Sequence, residues 1–162
     1  NPSLHWASGQ VCQLGATHTL ILHADLALAN AQDIQCCIDS LNKRGTVLAA
    51  DRLGLGSNAM GCALPLSFEL AYGESSFAKH KAAFGHIGLL HDEICSSSLS
   101  FDVDSSEDLA LLLHVNGLGL TRQAVAKALG DIQAETPLTL ADPDICDKRD
   151  AWLSVASNGS KQ

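Results

Sequence analysis

No apolar run in this chain of 162 residues approaches the ~18 residues of a membrane-crossing helix, so a helical span is not expected. The first residues carry neither a basic nor an apolar segment, and no secretory signal is read there. Basic residues are scarce: before position 122 there are only Lys43, Arg44, Arg52, Lys79 and Lys81, and the net charge is −8. That excludes non-specific nucleic-acid binding, which needs a basic stripe, and makes an anionic small substrate depend on a metal ion or a few local cations. The six cysteines show no C-x-x-C spacing. A chain of this size does not need disulfide staples, so reduced thiols and a cytoplasmic setting are expected. Adjacent Cys36 and Cys37 would point about 100° apart on a helix and share no metal. The seven histidines include no H-E-x-x-H, which argues against a zinc hydrolase.

An apolar content of 46% with 17% charged residues describes a globular chain long enough for one domain. The pattern alternates strand and helix, which predicts an α/β fold with a mostly parallel sheet. After a partly helical lead-in from Asn1 to Gln13, Thr17 to Ala24 reads as a buried strand. Asn30 as N-cap with Asp33 in the first turn opens a helix to about Asn42, with Ile34, Cys37, Ile38 and Leu41 on one face and Gly45 closing it. Thr46 to Ala50 reads as a second strand, Gly54 to Asn58 as a two-glycine loop, and Leu66 to Tyr72 as a further extended run. A helix opens at Gly73-Glu74-Ser75-Ser76-Phe77 and runs to about Phe84. Leu99 to Val103 reads as a strand, and Ser105 with Asp108 as a capping box ahead of Leu109 to His114. Thr121 to Leu129 is expected to be a short helix, and Thr136 to Gln162 a poorly ordered tail with an anchoring turn at Ala151-Trp152-Leu153.

Two strands end in carboxylates. Thr17 to Ala24 stops at Asp25, and Phe101-Asp102-Val103-Asp104 passes straight into a capped helix. Ligands of open α/β sheets lie beyond the carboxyl ends of strands, and Mg²⁺ takes oxygen from one or two carboxylates plus substrate phosphates. The residues alone leave open that one of these acids only caps a helix. Two segments are suited to an anion. The glycines of Gly54 to Asn58 let backbone N–H groups form a nest, and Gly73 with Ser75 and Ser76 precedes a helix N-terminus. His80, one turn into that helix, is read either as a phosphate neighbour or as a surface histidine.

Four motifs taken together resemble one enzyme group. They are His23-Ala24-Asp25-Leu26, Asp51-Arg52-x-Gly54-x-Gly56-Ser57-Asn58-Ala59, Tyr72-Gly73-x-x-Ser76-Phe77-Ala78-Lys79-His80 and Asp102-Val103-Asp104-x-x-Glu107-Asp108-Leu109. In order and spacing they resemble the guanylyltransferases of deazaflavin coenzyme F-420 biosynthesis, which act on 2-phospho-L-lactate, phosphoenolpyruvate or 3-phosphoglycerate. The resemblance implies a Rossmann-like nucleotidyltransferase sandwich. It also implies transfer of GMP from GTP to the phosphorylated acid with release of pyrophosphate. Asp25 and Asp104 match the family's catalytic, Mg²⁺-binding aspartates, with Asp102 a third carboxylate. Ser57 matches the position that helps hold the acid, and Gly73 with Ser76 the turn that takes its phosphate. The implied partners are GTP and a small phosphorylated acid, with neither nucleic acid nor membrane; self-association is left open.

The chain departs from the pattern at Ala27, Leu55 and Ser75, and at Asp104-Ser105-Ser106, where the group has proline, threonine, glycine and Asp-Thr-Pro. The group's opening strand and Lys/Arg-bearing loop are not matched. The expectation is therefore a partial nucleotidyltransferase domain over residues 1–120, inactive alone, and a C-terminal extension over residues 121–162 that the chemistry does not need. Two other classes fit the acidic strand ends: a nucleotidyltransferase for sugar phosphates or molybdenum cofactor, and an inactive binding remnant.

Overall fold

Local sequence signals set most of the elements. In this computed structural model, which describes residues 1–115 and 123–127, the Asn30 side chain accepts from the N–H groups of Gln32 (2.8 Å) and Asp33 (3.2 Å). Asp33 in turn accepts from the Asn30 N–H at 3.0 Å, completing a capping box. Gly45 closes the same helix at φ +79°, a left-handed conformation that glycine adopts without a Cβ penalty. Helix α1 covers Pro2–Gln13, α2 Ala31–Arg44, α3 Ser76–His86 and α4 Ser106–Leu112. The strands are β1 (His18–Leu22), β2 (Thr46–Ala50), β3 (Ser57–Ala63) and β4 (Asp92–Glu93). Residues 123–127 are helical, within the short helix expected there. The expected tail from Thr136 and its turn at Ala151-Trp152-Leu153 lie outside the described residues.

The sheet order is β1-β3-β2-β4, which corrects the mostly parallel sheet. Strand β3 is antiparallel to both β1 and β2, and only β2 and β4 pair in parallel. The physical reason is the short connection 51–56, which returns the chain at once beside β2, as only an antiparallel partner can be reached. Because β1 and β2 both run against β3, they point the same way, and their C-terminal ends share one edge of the sheet.

Strand β3 falls partly in the stretch read as a loop. Its sequence lacks polar alternation because both faces are covered. Met60 and Cys62 join Leu48, Leu70 and Phe84 on one side, and Ala59 joins Cys37, Leu41, Val47 and Ala49 on the other. Gly61 lies under α2, where a Cβ would stand 2.8 Å from Leu41 Cδ1 and 2.9 Å from Val47 Cγ1.

The strand expected at Leu99 to Val103 forms no ladder. Asp33 accepts hydrogen bonds from the hydroxyls of Ser96 and Ser98, each at 2.6 Å, and this serine turn takes the chain off the sheet edge after the short β4. The run from Leu66 to Tyr72 is likewise outside the sheet. Ile38, assigned to the inner face of α2, is 39% exposed, whereas Cys37 and Leu41 are buried.

The thiol expectation holds in part. Cys12, Cys36, Cys37 and Cys62 are free, but Cys95 is disulfide-bonded. Burial pushes the Cys37 and Cys62 thiols up to about 11, so both act as small protonated core residues. No helix among the described residues is long and apolar enough to cross a membrane.

Candidate active site

The shared C-terminal edge of β1 and β2 gathers the motifs. The Asp25 carbonyl, just past β1, accepts from the Val103 N–H at 3.2 Å, so Asp25 lies against the segment that carries Asp102 and Asp104. Buried Asn58 holds the same corner: its carbonyl accepts from the His23 N–H (3.0 Å), and its Nδ2 donates to the Leu99 carbonyl (3.0 Å). The side chains of Asp25 and Asp104 are exposed at this edge, and Asp102 is half-buried. His23 Nδ1 is 3.9 Å from the Asp25 carboxylate.

Arg52 organises the acidic segment, and local sequence patterning did not single it out. Its Nη2 lies 2.7 Å from the nearly buried Asp108 Oδ1 and donates to the Asp102 carbonyl at 3.5 Å. Its Nε is 3.9 Å from Asp102 Oδ1, and its guanidinium sits 4.9 Å from the Phe101 ring centroid. Burial acts to raise the Asp108 carboxyl, but hydrogen bonds from Ser105 and Arg52 outweigh it and hold Asp108 below the usual range. Asp108 also completes the expected capping box, accepting from the Ser105 N–H (2.9 Å) and hydroxyl (2.8 Å) and from the Asp104 N–H (3.0 Å). Asp102 is shifted upward, chiefly by burial and also by the charges of Asp104 and Asp51, against the pull of Arg52.

These acids fit a cation that substrate oxygens complete, not a protein cage. Among the described residues no group of three or more His, Cys, Asp or Glu side chains is arranged to hold a metal ion. Asp25 and Asp104 are exposed, whereas Asp102 is half-buried with Arg52 Nε 3.9 Å from its carboxylate.

The glycine loop does not offer the expected open nest. The Asp51 carboxylate already takes its N–H groups, accepting from Leu55 at 2.8 Å and Gly56 at 2.7 Å. A Cβ on Gly56 would stand 2.8 Å from Asp51 Oδ2, so the close approach requires glycine. The Leu55 carbonyl accepts from the Phe77 N–H at 3.0 Å, tying this loop to the first turn of α3.

The turn before α3 is exposed at Gly73, which adopts φ +111°, and Ser75 is left-handed at φ +54° with no side-chain cap. Ser57 and Ser76 are buried beneath it. Ser76 Oγ accepts from the Ser57 N–H (2.9 Å), and Ser57 Oγ bonds His80 Nδ1 (2.9 Å). The three residues assigned to the acid are thus brought together, with only Gly73 open to solvent. His80 is neither at the surface nor exposed beside the turn; it is fully buried, and burial lowers its pKa to about 4.

The family model described as "Guanylyl transferase CofC like" matches residues 3–132. A phosphoenolpyruvate guanylyltransferase of Sphaerobacter thermophilus is 36% identical over 109 residues, covering 67% of this chain and 53% of that protein. One of Chloroflexus aggregans is 34% identical over 109 residues, 67% of this chain and 54% of the relative. A 2-phospho-L-lactate guanylyltransferase of Methanoregula boonei is 33% identical over 114 residues, 70% and 51%. The chain spans about half the length of these curated relatives.

Proposed function

We infer the function from a premise that the match over residues 3–132 establishes: this chain belongs to the family of CofC-like guanylyl transferases. We propose that it forms the acceptor and metal side of a guanylyltransferase that moves GMP from GTP to a small phosphorylated acid and releases pyrophosphate. Phosphoenolpyruvate, 2-phospho-L-lactate and 3-phosphoglycerate are the proposed acceptors, and deazaflavin coenzyme F-420 biosynthesis the proposed setting. The mixed sheet is proposed to be part of a Rossmann-like nucleotidyltransferase sandwich.

The observation that carries the reading is the backbone bond from Val103 to Asp25, which joins two acidic motifs distant in sequence. Asp25 and Asp104 would hold Mg²⁺, with Asp102 close behind them. Bound there, the cation would supply charge neutralisation for the gathered phosphates. The chain's own part is positioning. Arg52 fixes the segment that bears Asp102 and Asp104 through Asp108, and Asn58 fixes the end of β1 against it. The exposed Gly73 turn would take the acceptor's phosphate on backbone N–H groups, with Ser57 and Ser76 setting its shape from beneath. Phosphoryl and nucleotidyl transfers are accelerated mainly by such positioning and electrostatics.

Pyrophosphate release tests the proposal, measured on the chain joined to the part of a curated relative that it does not match, with Mg²⁺, a panel of nucleoside triphosphates and the three acids beside a sugar phosphate. GTP with one of the acids should give turnover. A different base or a sugar phosphate would point to another nucleotidyltransferase class, and metal-dependent binding without turnover to a binding module.

A further inference from the structure

His80 is a buried titratable group that the proposed chemistry does not use. His80 makes two hydrogen bonds, one through each ring nitrogen. A backbone N–H can only donate, so the Ala71 N–H at 3.0 Å makes Nε2 the acceptor and leaves the proton of the neutral ring on Nδ1. The contact at 2.9 Å is then Nδ1–H donating to Ser57 Oγ.

A closed circuit follows. His80 donates to Ser57 Oγ, the Ser57 N–H donates to Ser76 Oγ, and the Ser76 N–H donates to the Gly73 carbonyl at 3.1 Å. Two residues before Gly73, Ala71 donates back to His80. The circuit encloses the turn from Gly73 to Ser76, whose backbone is unusual at both Gly73 and Ser75. The Tyr72 ring stands edge-on to His80 with centroids 4.9 Å apart.

We propose that His80, as its Nδ1–H tautomer, is a positioning residue that holds the Gly73–Ser76 turn in the shape that receives an acceptor phosphate. It touches no substrate; it acts through Ser57, Ser76 and Ala71. The proposal rests on the reading of that turn as the acceptor site. Outside the circuit, the backbone bonds from Phe77 to Leu55 and from Lys79 to Ser75 hold the start of α3, and neither reaches Gly73.

Two measurements test this on the full chain. Long-range ¹H–¹⁵N spectra of the imidazole should show Nδ1 protonated and Nε2 unprotonated at about neutral pH; an Nε2–H ring overturns the proposal whatever binds. Calorimetric titration with phosphoenolpyruvate and, separately, GTP then compares the wild type with three variants. His80→Phe keeps the ring and removes both bonds. His80→Asn keeps a donor toward Ser57, and His80→Gln an acceptor toward Ala71.

The phenylalanine variant should lose phosphoenolpyruvate affinity by more than the roughly fivefold that goes with one neutral hydrogen bond, with GTP affinity unchanged. Asparagine and glutamine should each restore part of it. Wild-type phosphoenolpyruvate affinity in the phenylalanine variant overturns the proposal, as does an equal loss for both ligands. If that variant does not fold, asparagine and glutamine variants that bind phosphoenolpyruvate as the wild type does overturn it equally. A wild type that binds no phosphoenolpyruvate refutes the acceptor reading instead, and the tautomer still decides the place of His80.

Discussion

His80 and Arg52 are the residues on which the site's geometry turns, and neither could be assigned from its neighbours in sequence. Asp25, Asp102 and Asp104 stand out in the sequence as candidates because a carboxylate at the end of an apolar run is a local pattern. The partners of Arg52 lie in another segment, around Asp102 and Asp108, and those of His80 at Ser57 and Ala71, so their roles exist only once the chain has folded.

The burial of His80 has a consequence for stability. Its ordinary value is 6.5 and its folded value about 4, so between these the unfolded chain binds a proton that the folded chain refuses. Its contribution is therefore complete above about pH 6.5 and is lost as pH falls toward about 4, by roughly 3 kcal/mol in all. Denaturant unfolding at about pH 7 and pH 4.5 should show a steep loss in the wild type and a clearly smaller one in His80→Asn. Arg52→Ala should cost about 1–3 kcal/mol, the usual loss when a hydrogen bond to a buried charged group is removed, because Asp108 is 5% exposed and its Oδ1 would lose the Arg52 contact. A cost under about 1 kcal/mol in the same assay would mean that Arg52 does not hold the acidic segment.

Among the elements, β3 shows why part of the fold stayed hidden. Helix α2 announced itself through Asn30, Asp33 and Gly45, each of which acts on backbone groups within a few residues. Strand β3 carries Gly61 at its centre and small residues around it, a composition that reads as loop; its identity as a strand comes from having β1 and β2 on its two sides. Ser96 and Ser98 likewise redirect the chain only because Asp33 is there to accept from them. Gly61→Val should destabilise by about 1–3 kcal/mol through overpacking against Leu41 and Val47, measured by thermal unfolding. Asn30→Ala should cost about 1 kcal/mol by loss of the cap.

For the molecule as a whole, the reversal of β3 matters less to function than the edge it creates. Since β1 and β2 point the same way, Asp25 and Asp51 follow strand ends on one edge, and the segment of Asp102 and Asp104, which forms no strand, is tied to it by the Val103–Asp25 backbone bond. Residues 133–162 lie beyond the matched family region, and a chain ending at residue 132 should bind phosphoenolpyruvate as the full chain does, by calorimetry.

The central claim is that Asp25 and Asp104 serve one cation on that edge. Titration with Mn²⁺ in place of Mg²⁺, followed by paramagnetic broadening of the backbone amide signals, tests it directly. The account predicts that the signals of Asp25 and Asp104 broaden together, with one concentration dependence, and that Asp104→Asn abolishes the effect at both while the rest of the spectrum is unchanged. Broadening at Asp25 that persists in Asp104→Asn, or two different concentration dependences, would contradict it.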